Sequence, residues 1–457
     1  MKEKIFRDAV HGDITLDELE VRVLDTAPMQ RLRAIKQLGT SNLVFPSAVH
    51  TRFEHSLGTC WLAKRILDTL VKNGARISSE ERRITTLAAL LHDITHIPFG
   101  HTLEDERRVL PRHDHHPMRY RLFLQDSPVG DLLRGHALMR DVTMLLRCRS
   151  YQNLRKPFLG QIVSHTICAD LLDYLKRDTY FCGLRTTYDD RIFSYFRIND
   201  GQLVVSLLKG KVFRHDALSE LLAVLRLRYS LTERVYYHHA KVATGVMLSR
   251  MVELALQQGM RAEELFRLGD EGLLLHIEER FGTHPPLRDL LDKFRRRYLY
   301  KRCYALTYKL DFVAREELAR RFHCNHRNAR TRMEQVIART LRVPDHAVCI
   351  YCPPVNMNLK EADVLVQVDD GKPRPLTSLG NLEIRSLQER YGMIWKFYVF
   401  LDREYESKLD RAGAVCEKVI GHPDQRTVEK HGQLNLFERL ELADAPSPFH
   451  HGDKPGD

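Results

Sequence analysis

Apolar residues recur at helix-like spacing through most of the first 300 residues. The first helical stretch is predicted from about residue 21, where apolar side chains recur at Val21, Leu24, Met29, Leu32 and Ile35. Pro28 lies near a helix start, and Gly39 is expected to end the stretch. The same periodicity predicts further helices over 55–70 (stopping at Asn73-Gly74), about 79–93, 161–178, 216–258 with a break, and 286–300.

The pattern differs at both ends of this helical region. Residues 1–20 predict a short β element with a His11-Gly12 turn. After about residue 300, predicted helices at 315–340 and 377–391 alternate with strand-like runs at 347–351, 363–368 and 394–401. A turn at Asp369-Asp370-Gly371 separates the last two of these runs. The predicted fold is mainly α with a smaller C-terminal α+β lobe. The predicted regions are 1–300, 301–410 and an extension, 411–457, whose end from 443 is expected to be disordered.

Composition narrows the class of protein. The chain has 457 residues, of which 43% are hydrophobic and 29% charged, and its formal net charge is +11. A positive surface suits polyanionic ligands such as nucleotides or nucleic acid. No apolar run approaches the length of a membrane span, and the N-terminus lacks a signal-peptide pattern, so we expect a cytoplasmic protein. The nine cysteines do not form a disulfide framework, and Cys349 and Cys352 are expected to be buried thiols rather than zinc ligands.

Four residues form a candidate metal site. His55, the adjacent pair His92-Asp93, and Asp170 lie on three predicted helices. Imidazole and carboxylate groups are ligands for divalent ions, with Mn, Fe, Mg, Zn and Ni all compatible. His92 and Asp93 end the apolar run LAALLHD, just before a loop that contains Pro98. The order and spacing predict that the three helices converge on one ion.

The segments around these residues resemble a known family. VFPSAVHTRFEHSLG (44–58), ALLHDITHIPFGH (89–101) and ICADLLDYLKRD (167–178) are similar to the metal-site motifs of the SAM- and HD-domain deoxynucleoside triphosphate triphosphohydrolases, as is the stretch 7–39. The resemblance is strong from about residue 4 to about 250. It implies an HD-domain helical core without the SAM domain, and release of a deoxynucleoside and triphosphate from a dNTP.

The resemblance also implies roles for individual residues. The implied catalytic residues are His96, His101, Glu104 and His113. The implied substrate contacts are Arg52 for phosphate, together with Gln37, Leu38, Tyr174, Asp178, Arg228 and Tyr236. The resemblance also implies a regulatory nucleotide site, which comprises Lys4, Ile5, Asp25, Gln30 and Arg33. In relatives this site lies between subunits, so we expect a homo-oligomer.

The sequence departs from the family pattern beside the fourth metal ligand. The family usually has Lys or Arg directly after the metal aspartate, whereas this chain has Leu171. A missing cation weakens binding of a triphosphate, and Lys176 and Arg177 are the nearby cations that could replace it. Thr232 and Tyr237 also differ from the more basic or amide side chains of the nearest relatives, which bears on base and sugar preference.

Two other functions fit the same residues. A phosphodiesterase or nuclease acting on DNA, RNA or cyclic nucleotides would use the same metal ligands, and the basic runs FRRRYLYKR (294–302) and RRFHCNHRNARTR (320–332) favour it slightly. A non-catalytic nucleotide or nucleic-acid binding regulator is the alternative of another class. The presence of all four ligands argues against it.

Overall fold

A computed structural model of the chain describes residues 3–148, 151 and 154–426. The predicted disorder after residue 443 lies outside the described residues. Most of the described chain is helical, which confirms the mainly α prediction with a smaller sheet-containing C-terminal region. None of the described helices is both long enough and apolar enough to cross a membrane.

The helices occupy most of the first 300 residues and continue in the C-terminal region. They are α1 (Glu18–Leu24), α2 (Ala27–Gln30), α3 (Arg52–Lys72), α4 (Ser79–Leu91), α5 (Pro117–Tyr120), α6 (Pro128–Gly135), α7 (Met139–Arg147), α8 (Pro157–Val163), α9 (Ala169–Phe181), α10 (His215–Leu231), α11 (His239–Gln257), α12 (Asp270–Phe281), α13 (Pro285–Arg295), α14 (Phe312–Leu318), α15 (Ala329–Leu341), α16 (Leu382–Gly392) and α17 (Leu409–Ile420).

The strands form four small sheets. They are β1 (Lys4–Asp8), β2 (Gly12–Leu16), β3 (Phe196–Asn199), β4 (Gln202–Ser206), β5 (Leu208–Lys209), β6 (Val212–Phe213), β7 (Lys301–Thr307), β8 (Val348–Tyr351), β9 (Leu365–Gln367), β10 (Arg374–Pro375) and β11 (Lys396–Leu401). The sheet orders are β1-β2, β5-β6, β7-β11-β8 and β10-β9-β4-β3.

The N-terminal hairpin agrees with its prediction, but the helix expected after it is broken. β1 and β2 pair antiparallel, and α1 ends at Leu24. A second, one-turn helix then starts with Pro28 in its first turn, and a 3₁₀ turn follows over Arg31–Ala34. The prediction of one helical stretch to Gly39 was therefore wrong, because proline has no N–H to continue the ladder of a preceding helix and starts a new one instead.

Helices α3, α4 and α9 pack together and carry the candidate metal ligands. α4 ends at Leu91 and His92 caps its C-terminus, close to the end predicted at about residue 93. Gly58 allows the close approach of α3 to α9, since a Cβ there would lie 1.8 Å from an Asp173 oxygen. The helix predicted over 161–178 is two helices. α8 ends at Val163 and Cys168 caps α9, so Asp170 lies in the first turn of a new helix.

The C-terminal strands divide between two sheets. β11 lies between β7 and β8 in one sheet. β9 pairs with β10 and runs parallel to β4, where Val205 is opposite Val366. The turn at Asp369-Asp370-Gly371 therefore joins β9 to the short strand β10, which the sequence pattern did not reveal. The prediction that it leads to the strand at 394–401 was wrong, because that strand, β11, lies in the other sheet. Cys349 and Cys352 are buried free thiols, as expected.

Candidate active site

The four predicted metal ligands converge. The ligand atoms of His55, His92 and Asp93 all lie within 4.8 Å of one another. The Asp170 Oδ1 atom is 3.1 Å from His55 Nε2 and 3.7 Å from His92 Nε2. Three helices thus bring two imidazoles and two carboxylates to one point, and this donor set suits a divalent ion.

The orientation of the two imidazoles fits a cation between them. His55 Nδ1 is 2.7 Å from an Asp173 oxygen, and His92 Nδ1 is 2.8 Å from the Ala89 carbonyl. If each Nδ1 donates its hydrogen, both Nε2 atoms present lone pairs, and these atoms are only 3.1 Å apart. Two facing lone pairs repel each other, and a shared metal ion would relieve that repulsion. The residues present therefore fit a metal centre.

Asp173 supports His55, and sequence reasoning missed it. Its buried carboxylate is also 2.6 Å from His11 Nε2 and accepts hydrogen bonds from Arg177 at 2.8 and 2.9 Å. Arg177 in turn binds Asp8 at 2.8 Å. The signal in the sequence was the spacing Asp170–Asp173, which places both carboxylates near one face of α9. Fixing the tautomer of a metal-binding histidine is the usual role of such a carboxylate.

We predict that Asp173→Asn weakens metal binding by about 10- to 100-fold, the usual cost of losing a partner behind a metal ligand. The amide loses one acceptor oxygen, so His55 is held less firmly. Titration of the metal against a competing chelator would measure the change. Asp189→Asn, a substitution at an exposed residue outside the site, is the control. An unchanged dissociation constant in a folded Asp173→Asn variant would contradict the role assigned to Asp173.

The carboxylates make this site strongly favourable for positive charge. Burial acts to lower the pKa of His55, but hydrogen bonds to Asp170 and Asp173 outweigh it and raise the pKa to about 10. Burial acts to raise the pKa of Asp93, but the charge of Arg52, whose Nη1 is 2.6 Å away, outweighs it and holds that pKa well below its usual range. The carboxylates therefore favour one positive charge at this point, which is a proton on His55 in the metal-free protein and a metal ion when one is bound.

The four predicted catalytic residues lie together beside this centre. The His96 Nε2 atom is 3.3 Å from Asp93 Oδ1. The rings of His96 and His113 stack with centroids 3.5 Å apart, and the His101 ring lies 4.8 Å from His96 and 5.2 Å from His113. These three histidines could themselves hold a metal ion, because their nitrogen atoms lie within 4.8 Å of one another.

Glu104 orients this histidine cluster. Its Oε2 is 2.9 Å from His113 Nδ1, and its Oε1 accepts a hydrogen bond from Arg119 at 2.7 Å. Burial acts to raise the pKa of Glu104, but His113, then His101 and then Arg119 outweigh it and lower the pKa to about 2. Burial also lowers the pKa of His113 from 6.5, against the opposing effect of Glu104. Arg119 was not predicted, and neither was Asp105, which lies 3.1 Å from His101.

The predicted nucleoside contacts form a second cluster next to His55. The Arg228 guanidinium lies between two aromatic rings, 5.5 Å from Tyr174 and 5.4 Å from Tyr236. The Tyr236 hydroxyl donates to Asp178 at 2.6 Å, and the Tyr174 ring is 6.5 Å from His55. The partners that the sequence did not reveal are His50, 2.8 Å from Asp178, and Glu361, 2.9 Å from Arg228.

Gln37 and Leu38 are the two remaining predicted substrate residues, and Gln37 contacts Arg52. The Arg52 Nη2 atom is 3.5 Å from the backbone carbonyl of Gln37, and the side-chain carbonyl of Gln37 is buried without a hydrogen-bond partner among the described residues. Leu38 is partly buried against the core.

The cation that is missing at Leu171 is not replaced by its neighbours on α9. The Leu171 side chain is buried in the core. Lys176 pairs with Asp190, and Arg177 is committed to Asp173 and Asp8. Neither positive charge is directed to the metal centre. Thr232 is also buried, and its hydroxyl binds the Arg228 carbonyl at 2.8 Å.

The residues of the implied regulatory site lie on the surface near the N-terminus. Lys4 and Ile5 belong to β1, and the Ile5 side chain is 68% exposed. Asp25 and Arg33 are exposed, and Arg33 Nε donates to Gln30 Oε1 at 2.9 Å. These positions are open to a ligand or to a second subunit.

Profiles of known families match most of the chain. The HD domain matches residues 52–178, and the HD associated region matches residues 190–427, which is more than half of the sequence. The chain belongs to the HD-domain family. The HD-domain match contains all four candidate metal ligands, and the HD associated region contains Arg228 and Tyr236. The family resemblance read from the motifs is confirmed.

Individual HD-domain relatives agree with this assignment. An uncharacterized protein, YwfO, of Bacillus subtilis is 31% identical over 291 residues, 63% of this chain and 60% of the relative. The deoxynucleoside triphosphate triphosphohydrolase SAMHD1 homolog of Dictyostelium discoideum is 28% identical over 323 residues, 65% of this chain and 59% of the relative. The chain thus spans about three fifths of the length of these relatives.

Solved structures show the same fold. The structure of a phosphohydrolase from Bacteroides thetaiotaomicron superposes with a TM-score of 0.68 at 23% identity, and it covers 88% of this chain and all of the other. A hypothetical protein from Aquifex aeolicus gives a TM-score of 0.66 at 24% identity over 90% of this chain and all of the other. At these identities the comparison concerns the fold alone.

Proposed function

We propose that this HD-domain protein is a metal-dependent phosphohydrolase that converts dNTPs to deoxynucleosides and triphosphate. One observation carries the proposal: the histidine cluster adjoins the metal ligands, with His96 3.3 Å from Asp93 and stacked on His113. Charge stabilisation and proton transfer can then act on one phosphate ester. The name of the Dictyostelium relative supports dNTPs as the substrate class.

The metal would be held by His55, His92, Asp93 and Asp170. When bound, it would polarise a phosphate oxygen and lower the pKa of a water molecule. The chain's own residues do the remaining work. Arg52 holds Asp93 in place and presents a planar guanidinium to phosphate oxygens. Tyr174, Arg228 and Tyr236 bind and orient the nucleoside end.

His113 is proposed to protonate the leaving 5′-oxygen. Its Nδ1 contacts Glu104, which leaves Nε2 for proton transfer. Burial keeps its pKa below 6.5 in the free protein, so His113 is mainly neutral at pH 7. A triphosphate bound alongside adds negative charge and favours the protonated form. The acid would therefore be charged when the substrate arrives.

We predict that His113→Gln lowers kcat by about 10²- to 10⁴-fold, the usual contribution of a general acid. Occupancy of the centre formed by His55, His92, Asp93 and Asp170 should not change, because His113 is not among these four proposed ligands. The assay is turnover at saturating dNTP, with metal analysis of the same samples. His136→Gln, at an exposed histidine outside the site, should keep full activity. Wild-type kcat in His113→Gln would rule out this role.

Product analysis tests the reaction itself. The protein would be incubated with Mn²⁺, Fe²⁺ or Mg²⁺ and with each dNTP, each NTP, cyclic dinucleotides and short DNA or RNA. Release of intact triphosphate from dNTPs supports the proposal. Inorganic phosphate, diphosphate or shortened oligonucleotides as the sole products would replace it with another hydrolase activity.

A surface on the C-terminal region favours a phosphodiesterase or nuclease as the second candidate. Residues 318–344 contain seven arginines and one acidic residue, Glu334, which is buried. Exposed side chains without an ion-pair partner among the described residues are those of Arg327, Arg332, Arg339 and Arg342. Such a surface suits a nucleic-acid backbone. Cleavage of oligonucleotides in the product analysis would support this candidate.

We also propose that the surface formed by Lys4, Ile5, Asp25, Gln30 and Arg33 binds a regulatory nucleotide and promotes homo-oligomer formation. The support is its exposure and the mixture of charged and amide groups suited to base and phosphate contacts. Size-exclusion chromatography with and without dGTP tests the idea. Unchanged elution together with unchanged kinetics would end it.

A further inference from the structure

Arg31 lies behind the loop that carries the metal ligands. It begins the 3₁₀ turn after α2. Its Nη2 donates to the Ile94 carbonyl at 2.9 Å. Ile94 directly follows the metal ligand Asp93 and precedes His96 by two residues. The guanidinium also stacks on Phe123, with its carbon 4.1 Å from the ring centroid. Arg31 is thus held in one place by two contacts.

No carboxylate of the described residues forms an ion pair with Arg31. In the part of the chain that the structure describes, six arginines are buried, and each has a carboxylate within 4.0 Å. They are Arg52, Arg107, Arg119, Arg177, Arg250 and Arg330. The Nε and Nη1 atoms of Arg31 are also buried, yet they have no hydrogen-bond partner among the described residues. Two enclosed donors on a cation without an anion are energetically costly.

Neighbouring arginines increase this excess of positive charge. Burial and then the charges of Arg119 and Arg52 lower the pKa of Arg31 to about 9. Glu104 neutralises Arg119, and Asp93 neutralises Arg52. The Nε atoms of both neighbours are likewise buried without a hydrogen-bond partner among the described residues. The guanidiniums of Arg31, Arg52 and Arg119 therefore each keep a free N–H donor, and together they carry one positive charge that no carboxylate of the described residues neutralises.

We propose that Arg31 is an anion-binding residue that takes a phosphate group next to the metal loop. A phosphate oxygen would accept from Nε and Nη1 and supply the missing negative charge, and the planar fork of arginine suits this geometry. The residue as a whole is partly exposed, and an anion would reach the two buried donors by a local movement of the surrounding side chains. Such a site would also provide a cation that Leu171 does not.

Two sources of phosphate are compatible with this chemistry: the triphosphate of the substrate or product, and a separate phosphate ligand. The first case rests on the proposed function, and the second does not. In the first case, Arg31→Met raises the KM for dNTP in phosphate-free buffer. In the second case, KM is unchanged but the protein no longer binds inorganic phosphate. Either result supports a phosphate site at Arg31.

The test compares the full-length protein with Arg31→Met, which keeps an unbranched side chain able to pack on Phe123. The dissociation constants for tripolyphosphate and for inorganic phosphate are measured by calorimetry. We expect at least one of them to rise tenfold or more. We also expect Arg31→Met to melt at a higher temperature without phosphate, because a buried uncompensated charge is removed. Arg22→Met, an exposed arginine on α1, is the control and should change neither quantity.

The opposite result is equally clear. If Arg31→Met binds both phosphates as the wild type does, the proposal is overturned whatever the melting temperature. A lower melting temperature in the same variant would identify Arg31 as a structural link between Ile94 and Phe123. Because phosphate binding is measured without turnover, the outcome does not depend on dNTP hydrolysis. If the wild type fails to hydrolyse dNTPs but Arg31→Met loses phosphate binding, the phosphate site is still supported and only the proposed substrate is ruled out.

Discussion

Replacing Asp93 by alanine is expected to lower kcat/KM by at least about 1000-fold, or about 4 kcal/mol of transition-state stabilisation. Asp93 is a proposed metal ligand, and it also lies 3.3 Å from His96 and 2.6 Å from Arg52. Its removal takes a negative charge from the metal centre and frees the guanidinium that faces the substrate phosphate. Steady-state kinetics and metal analysis of the same preparation would measure both effects.

A second substitution separates loss of the ligand from loss of the fold. Asp93→Asn keeps the side-chain volume but not the negative charge, so it should also lose metal while retaining a cooperative melting transition. Asp126→Asn removes an exposed carboxylate that pairs with Arg121 and should keep full activity. Full activity and full metal content in both Asp93 variants would refute the assignment of the metal centre.

Replacing Glu334 by alanine is expected to lower the free energy of unfolding by about 3–5 kcal/mol, the usual cost of breaking a buried ion pair. The Glu334 side chain is fully buried. It accepts from Arg107 at 2.6 Å and from the Ile350 backbone N–H at 2.7 Å. Without it, Arg107 keeps Glu253, at 2.7 Å, as its one carboxylate partner among the described residues, and the Ile350 N–H of the edge strand β8 loses its acceptor. Urea denaturation would measure the loss.

An exposed glutamate provides the comparison. Glu317→Ala breaks a surface pair with Arg320 at 2.7 Å, which is expected to cost less than about 1 kcal/mol. If the two variants lose similar free energy of unfolding, the buried ion pairs of Glu334 do not stabilise the fold more than a surface pair does. Activity should also fall in Glu334→Ala, because Arg107 directly follows the π-helical turn Thr102–Glu106 that carries Glu104.

The sequence predicted the elements whose signals are local. The periodicity of α3 and α4 and the end of α4 at His92-Asp93 were all readable, because an apolar face and a cap involve residues close in the chain. The breaks between α1 and α2 and between α8 and α9 were missed. Apolar spacing continues across both breaks, so they are marked by single residues alone: Thr26 and Pro28 at the first break and Cys168 at the second.

The residues of the candidate site could be predicted only where they belong to a family motif. The family motifs supplied the four ligands and the histidine cluster. They did not supply Asp173, Glu361 or Arg31, whose partners lie far away in the chain. Asp173 contacts His11 and His55, and Arg228 reaches Glu361. A carboxylate on a helix looks the same in the sequence whether it faces water or a distant imidazole, so only the fold distinguishes the two.

The parallel pairing of β4 with β9 has a consequence for synthesis on the ribosome. One edge of β4 is covered only when β9 arrives, after about 160 further residues have been translated. At about 5–20 residues per second this delay lasts roughly 10–30 s. During that interval the apolar strand Gln202–Ser206, four of whose five residues end up buried, presents unpaired backbone groups. The nascent chain is therefore expected to depend on chaperones most strongly while residues 207–364 are being made.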